Sequence, residues 1–207
     1  MSVPTSFPER RMYPVVFIVD TSGSMLGDGK MDVVNQALAV AIEALAKRED
    51  PDVEISVALI TYGDQATLAK SPTPAAELQY LPLRAAGRSA MGSAILQLLS
   101  LLDSSAIPAT AHRPTLVLIS DGHPTDDYSG PLQEAKKKNA FAEGTRLAVR
   151  IGNDANDGHL RAFAGSSEAV LTVSELEALP TILVRLARTV ESEITASSAS
   201  RRPSTGD

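Results

Sequence analysis

The run Val15-Val16-Phe17-Ile18-Val19 stops abruptly at Asp20-Thr21-Ser22-Gly23-Ser24, and that junction constrains the fold more than any other part of the chain. An unbroken apolar run rich in Val and Ile has the length and composition of a strand covered on both faces. Such a strand belongs in a parallel sheet layered between helices. The pattern recurs a hundred residues later, where Leu116-Val117-Leu118-Ile119 leads into Ser120-Asp121-Gly122. In open sheets of this kind the loops at the strands' carboxyl ends share one rim, and ligands bind there. Both acids fall on that rim.

Strand and helix patterns alternate along the rest of the chain. A strand near 14–20 precedes a helix of about 31–48, in which Val33, Val34, Ala37, Leu38, Ala41, Ile42 and Leu45 recur at helical spacing. A second strand spans 53–62. Residues 63–83 read as irregular, with a short antiparallel edge strand near Ala66–Ala69. The loop Ala86-Gly87-Arg88-Ser89-Ala90-Met91-Gly92 opens a helix through Ile95, Leu98, Leu99 and Leu102. Further elements are expected at 115–120 (strand), 131–142 (helix), 146–151 (strand), 157–164 (helix) and 169–173 (strand). A last helix of 175–193 has Ser174 as its cap and Glu177 as the capping-box partner. The fold class is therefore α/β: a Rossmann-like three-layer sandwich around a mostly parallel sheet with one short antiparallel edge strand. One domain of 12–195 is expected, with a flexible lead-in at 1–11 and a disordered tail at 196–207.

Composition narrows the chemistry. With no cysteine, thiol catalysis, disulfides and zinc-thiolate sites are excluded. A net charge of -6 with scattered basic residues argues against nucleic acid as a partner. No stretch approaches the roughly 20 apolar residues of a membrane span and no signal-peptide core precedes the first strand, so the expected location is cytoplasmic.

Three loops hold the candidate site. Asp20, Ser22 and Ser24 lie on the first, Ser89 on the second and Asp121 on the third. Mg²⁺ takes about six oxygen ligands and usually keeps some waters. Hydroxyls from Ser22, Ser24 and Ser89 supply neutral oxygens, while Asp20 and Asp121 supply charge directly or through water. Mn²⁺ accepts the same oxygen set. Hydroxyls neutralise no charge, so such an ion stays electron-poor and attracts a partner's carboxylate to an open position.

These residues resemble the von Willebrand factor A domain with its metal-ion-dependent adhesion site. Asp20, Ser22 and Ser24 match the D-x-S-x-S motif, Ser89 the second-loop threonine and Asp121 the third-loop aspartate. Ser120-Asp121-Gly122-His123-Pro124-Thr125-Asp126 and Ser89-Ala90-Met91-Gly92-Ser93-Ala94 resemble the TerY-like bacterial branch associated with tellurite resistance. The resemblance covers about residues 12–193. It implies a non-enzymatic, cytosolic adaptor, monomeric or weakly oligomeric. Its partner is a protein with an acidic residue, in a branch found beside kinases and phosphatases. Two departures stand out: serine replaces threonine at 89, and Arg88 stands where the branch often has glycine, a cation expected to repel the metal.

Catalytic templates fail at specific residues. A P-loop needs G-x-x-x-x-G-K-[ST], but Gly23 and Gly29-Lys30 are one residue too far apart and Met31 replaces the hydroxyl. No serine of the three loops has the flanking glycines of a nucleophile elbow. An aspartate-based phosphatase using Asp20 lacks a second acid two residues on, where Ser22 stands. That enzyme and a structural domain with a vestigial site are the alternative readings. Bland roles are expected elsewhere: an N-cap for Ser89 alongside its ligand role, solvated turns for Asp28, Asp64, Asp126 and Asp127, an exposed loop for His123, no site for His112 or His159, and a wet helix face for Lys136-Lys137-Lys138.

Overall fold

The computed structural model describes residues 10–48, 50–122, 124–152, 157–173, 179 and 181. Six strands form its sheet: β1 (Arg11–Asp20), β2 (Val53–Tyr62), β3 (Ala66–Pro74), β4 (Thr115–Ser120), β5 (Thr145–Ile151) and β6 (Val170–Val173). Their spatial order is β3-β2-β1-β4-β5-β6. Every neighbouring pair is parallel except β2 with β3. Accompanying them are α1 (Lys30–Ala46), α2 (Met91–Leu102), α3 (Ser129–Lys136), α4 (Asn139–Ala142) and α5 (Gly158–Ala164). This is the expected three-layer α/β architecture.

The period of two along each strand sorts side chains onto opposite faces. Val15, Phe17 and Val19 of β1, with Val57, Leu59, Val117 and Ile119, pack under α1 and Leu179. Val16 and Ile18, with Ala58, Ile60, Tyr62, Leu116 and Leu118, pack under α2, α3, α4 and α5. A fully buried side chain of this size contributes roughly 1.5–3 kcal/mol. Two such faces leave the rim free to bury polar groups at a cost.

That parity also places the site. Asp20 follows Ile18 on the α2 face of β1, Tyr62 follows Ile60 on β2, and Ser120 follows Leu118 on β4. Asp20 pairs with Tyr62 in register, and Val19 with Ile119, so Ser120 falls beside Asp20 across the other edge of β1. The chain leaves β1 through α1 to β2 on one side, then returns through α2 to β4 on the other. The crevice between β1 and β4 is thus the switch point of the sheet, where open α/β sheets bind ligands.

Several expectations change. The edge strand is longer than the expected Ala66–Ala69, running nine residues to Pro74 with a register shift between Val57 and Ile60 of β2. Its Pro72 and Pro74 are tolerated because one side of an edge strand needs no partner. The single helix expected over 131–142 is two, α3 and α4, broken where Lys138 adopts an extended backbone. The break lets Phe141 turn into the core, edge-on to Phe163 at 5.6 Å between ring centroids and under the Arg146 guanidinium. The expected lead-in, tail, last helix and Ser174–Glu177 cap lie outside the described residues, apart from residues 10 and 11, which form the approach to and start of β1, and Leu179 and Thr181.

Candidate metal centre

The first loop leaves β1 in extended conformation at Ser22 and coils into a 3-10 segment, Gly23–Gly29, pinned by fully buried Met25. Two backbone hydrogen bonds stitch it to the second loop: Ala86 N–H donates to Thr21 O at 2.7 Å, and Gly23 N–H to Gly87 O at 2.9 Å. Gly87 has φ +80, and a Cβ there would strike the Asp64 carboxylate at 2.7 Å. Asp64 in turn accepts the Arg88 N–H at 3.0 Å. It is therefore a brace of the second loop rather than a merely solvated turn. The third loop joins through Thr125 N–H, which donates to Ser89 O at 2.8 Å.

Asp126 corrects a second expectation. Its carboxylate accepts the N–H groups of Gly92 and Ser93, both at 2.9 Å, and so caps α2 from another loop. Ser89 makes no cap: the N-cap position is Ala90, without a side-chain cap bond. The Ser89 hydroxyl donates instead to Asp20 Oδ2 at 2.9 Å. Asp127 accepts the Ser129 N–H at 2.9 Å, a local turn at the start of α3. Arg88 is exposed, and only its backbone is tied down.

The five candidate residues come together. Asp20 is fully buried and accepts on both oxygens: the Ser22 N–H at 2.8 Å on Oδ1, and the hydroxyls of Ser89 and Ser120 at 2.9 and 2.7 Å on Oδ2. Ser22 and Ser24 share a hydroxyl hydrogen bond of 3.0 Å. Ser24 donates onward to Asp121 Oδ1 at 2.7 Å. Ser89, Asp20, Ser22, Ser24 and Asp121 are thus joined by one continuous chain of hydrogen bonds across three loops, passing from Asp20 to Ser22 through the Ser22 backbone N–H.

The two acids differ in surroundings. The partners of Asp20 are hydroxyls and a backbone amide, and burial pushes its carboxyl above the usual range, partly offset by hydrogen bonds from Ser22, Ser120 and Ser89. Burial, followed by the nearby Asp20 charge, also pushes the fully buried Tyr62 phenol well up. Asp121 has a cation: Lys30 Nζ lies 2.6 Å from its Oδ2.

Two partners escaped sequence reasoning. Ser120 directly precedes Asp121, yet its role follows from the β1–β4 register, which the sequence does not state. Lys30 was visible only as part of a failed P-loop spacing.

The donor set fits a hard divalent ion. All its side-chain donors are oxygens, two carboxylates among three hydroxyls, and one buried carboxylate has only neutral partners. The Lys30 ammonium on the other shows that the pocket accepts positive charge. Among the described residues no cluster of three or more His, Asp or Glu offers another metal site.

Residues 15–185 match the von Willebrand factor type A domain family. The chain belongs to that family. Similar proteins include an uncharacterized protein of Mycobacterium tuberculosis, 29% identical over 143 residues that cover 65% of this chain and 22% of the relative. A von Willebrand factor type A protein from Catenulispora acidiphila superposes with TM-score 0.69 at 22% identity, covering 87% of this chain and 43% of that one. Proximal thread matrix protein 1 from the mussel byssus, solved with a zinc-occupied MIDAS motif, superposes with TM-score 0.65 at 18% identity, covering 88% and 46%. This von Willebrand factor A chain spans about a fifth of the curated relative and under half of either solved chain. Among the described residues no helix is long and apolar enough to cross a membrane.

Proposed function

We propose that the rim is a metal-ion-dependent adhesion site through which this von Willebrand factor A domain binds an acidic partner protein. Asp20, Ser22, Ser24, Ser89 and Asp121 hold Mg²⁺ or Mn²⁺, the acids directly or through water. The observation that carries this reading is the unbroken run of hydrogen bonds from Ser89 to Asp121 across three separate loops. The bound ion supplies an open coordination position for an aspartate or glutamate of the partner. The role of the chain is to hold the oxygens in place, which the inter-loop backbone hydrogen bonds do.

The same residues argue against catalysis. Ser22 stands where an aspartate-based phosphatase carries its second acid, so Asp20 as nucleophile would lack a general acid to protonate the leaving group. Turnover of a generic phosphate ester with Mg²⁺, lost in Asp20→Asn, would restore the hydrolase alternative. A vestigial site predicts no Mg²⁺ or Mn²⁺ binding by calorimetry at millimolar metal.

The segments Ser120–Asp126 and Ser89–Ala94 resemble the TerY-like branch, and that resemblance supports a narrower reading. The proposed role there is a cytoplasmic adaptor, monomeric or weakly oligomeric, that docks a kinase or phosphatase in a stress response. Affinity capture with Mg²⁺ and with EDTA tests it: partners are retained in the first and lost in the second, and Asp121→Ala loses them in both. Capture indifferent to EDTA overturns metal dependence.

A further inference from the structure

We propose that Lys30 is a tethered counter-cation that competes with the divalent ion for Asp121 and thereby sets the metal affinity of the site. The inference rests on the adhesion-site reading above and concerns a residue outside the proposed ligand set.

Lys30 is the first residue of α1. A cation there faces the positive end of the helix dipole, which disfavours it. The chain nevertheless turns it inward. Asp28 at φ +54 and Gly29 at φ +69 both adopt the left-handed conformation, folding the end of the 3-10 segment back on itself. From there the ammonium reaches Asp121 Oδ2 at 2.6 Å and approaches the Ser24 carbonyl oxygen at 3.4 Å. Ser24 also holds Asp121 Oδ1 with its hydroxyl. Both oxygens of Asp121 are thus engaged.

The Asp121 side chain is 1% exposed and that of Lys30 21%. An isolated buried carboxylate is costly, and the ammonium offsets that cost in the metal-free protein. An ion among Ser22, Ser24 and Asp121 would sit against the ammonium, and like charges at such range repel. Lysine has a long, flexible stem and a strongly hydrated head, and this one already borders solvent. Metal binding is therefore an exchange in which the Lys30 ammonium withdraws to water. Affinity is reduced by the fraction of molecules in which Asp121 is free of it.

Two measurements on the full chain test this. Calorimetric titration with Mg²⁺ compares wild type, Lys30→Met and, as a control for general charge, Arg84→Gln. Arg84 is exposed and lines a groove with Gly29 and Asp32, whereas the Asp121 carboxylate is held by Ser24 and Lys30. Lys30→Met should bind Mg²⁺ at least about tenfold tighter, and Arg84→Gln should stay within about twofold of wild type. The second measurement uses wild type alone, so it stands even where Lys30→Met fails to fold. Amine acylation read by peptide mass spectrometry should label Lys30 several-fold faster with Mg²⁺ than with EDTA. Lys30→Met binding no tighter than wild type, or labelling unmoved by metal in a wild type that binds it, overturns the Lys30 assignment and leaves the adhesion site standing. Wild type and Lys30→Met both failing to bind Mg²⁺ or Mn²⁺ at millimolar concentration overturns both.

Discussion

Asp20 shows how a single residue trades stability for a binding role. Its carboxylate is fully buried, and desolvation raises its affinity for protons above that of the unfolded chain. A raised carboxylate is a cost that grows as pH climbs from the unfolded value of 3.8 through the folded one. At neutral pH the full cost is present. Asp20→Asn removes the charge and keeps the shape: its oxygen can accept the Ser22 N–H, and its amide can donate to the Ser89 and Ser120 hydroxyls. We expect Asp20→Asn to raise the melting temperature of the metal-free protein, by about 2–4 °C for each kcal/mol recovered, while abolishing Mg²⁺ binding. A melt in EDTA checks the first and calorimetry the second; a lowered melting temperature would show the carboxylate to be a net structural asset. Ser89→Ala, which removes one neutral oxygen, should weaken Mg²⁺ binding less than Asp20→Ala or Asp121→Ala in the same titration. The D-x-S-x-S spacing made Asp20, Ser22 and Ser24 legible in the sequence because all three ride on one turn. Ser120 and Lys30 were not legible, since each reaches its carboxylate through a contact between elements distant in sequence.

At the scale of elements, the site depends on how the three loops grip one another at the start of α2. A Cβ on Gly92 would lie 2.1 Å from the Asp127 carbonyl oxygen, so α2 and the third loop meet where only glycine fits. Gly92→Ala must push the third loop away, and Asp121 with it. Substitutions that overpack a close contact cost typically about 1–3 kcal/mol. We expect a lowered melting temperature together with weakened metal binding, whereas a purely local clash would lower the first alone. Asp126→Ala removes the cap on Gly92 and Ser93 and should cost about 1 kcal/mol, read by denaturant titration. The sequence revealed the type of nearly every described element, because unbroken apolar runs and helical stripes are strong signals. It missed the length of β3 and the break between α3 and α4. The prolines and hydroxyls of β3 look like loop residues until β2 pairs with them. The break serves the burial of Phe141 against Phe163, a tertiary demand that overrides local helix preference.

For the whole molecule, the switch in strand order makes the rim a joint between the two halves of the sheet. Asp20 ends β1 and Ser22 follows it, Asp121 follows β4, and Ser89 precedes α2, the helix that links the halves. An ion held by all of them bridges segments that separate only when the sheet comes apart, so it binds the folded state and not the unfolded chain. Linkage then fixes the size of the effect: at free Mg²⁺ a hundred times its dissociation constant, stability rises by about 2.7 kcal/mol. For a domain of this size that corresponds to a melting temperature roughly 5–10 °C higher. The increase should continue logarithmically with Mg²⁺ concentration, because each further tenfold adds about 1.4 kcal/mol. Asp121→Ala should melt at one temperature whatever the Mg²⁺, and EDTA should return wild type to its metal-free value. A wild-type melting temperature that ignores Mg²⁺ across the millimolar range would mean that the three loops meet for structural reasons alone.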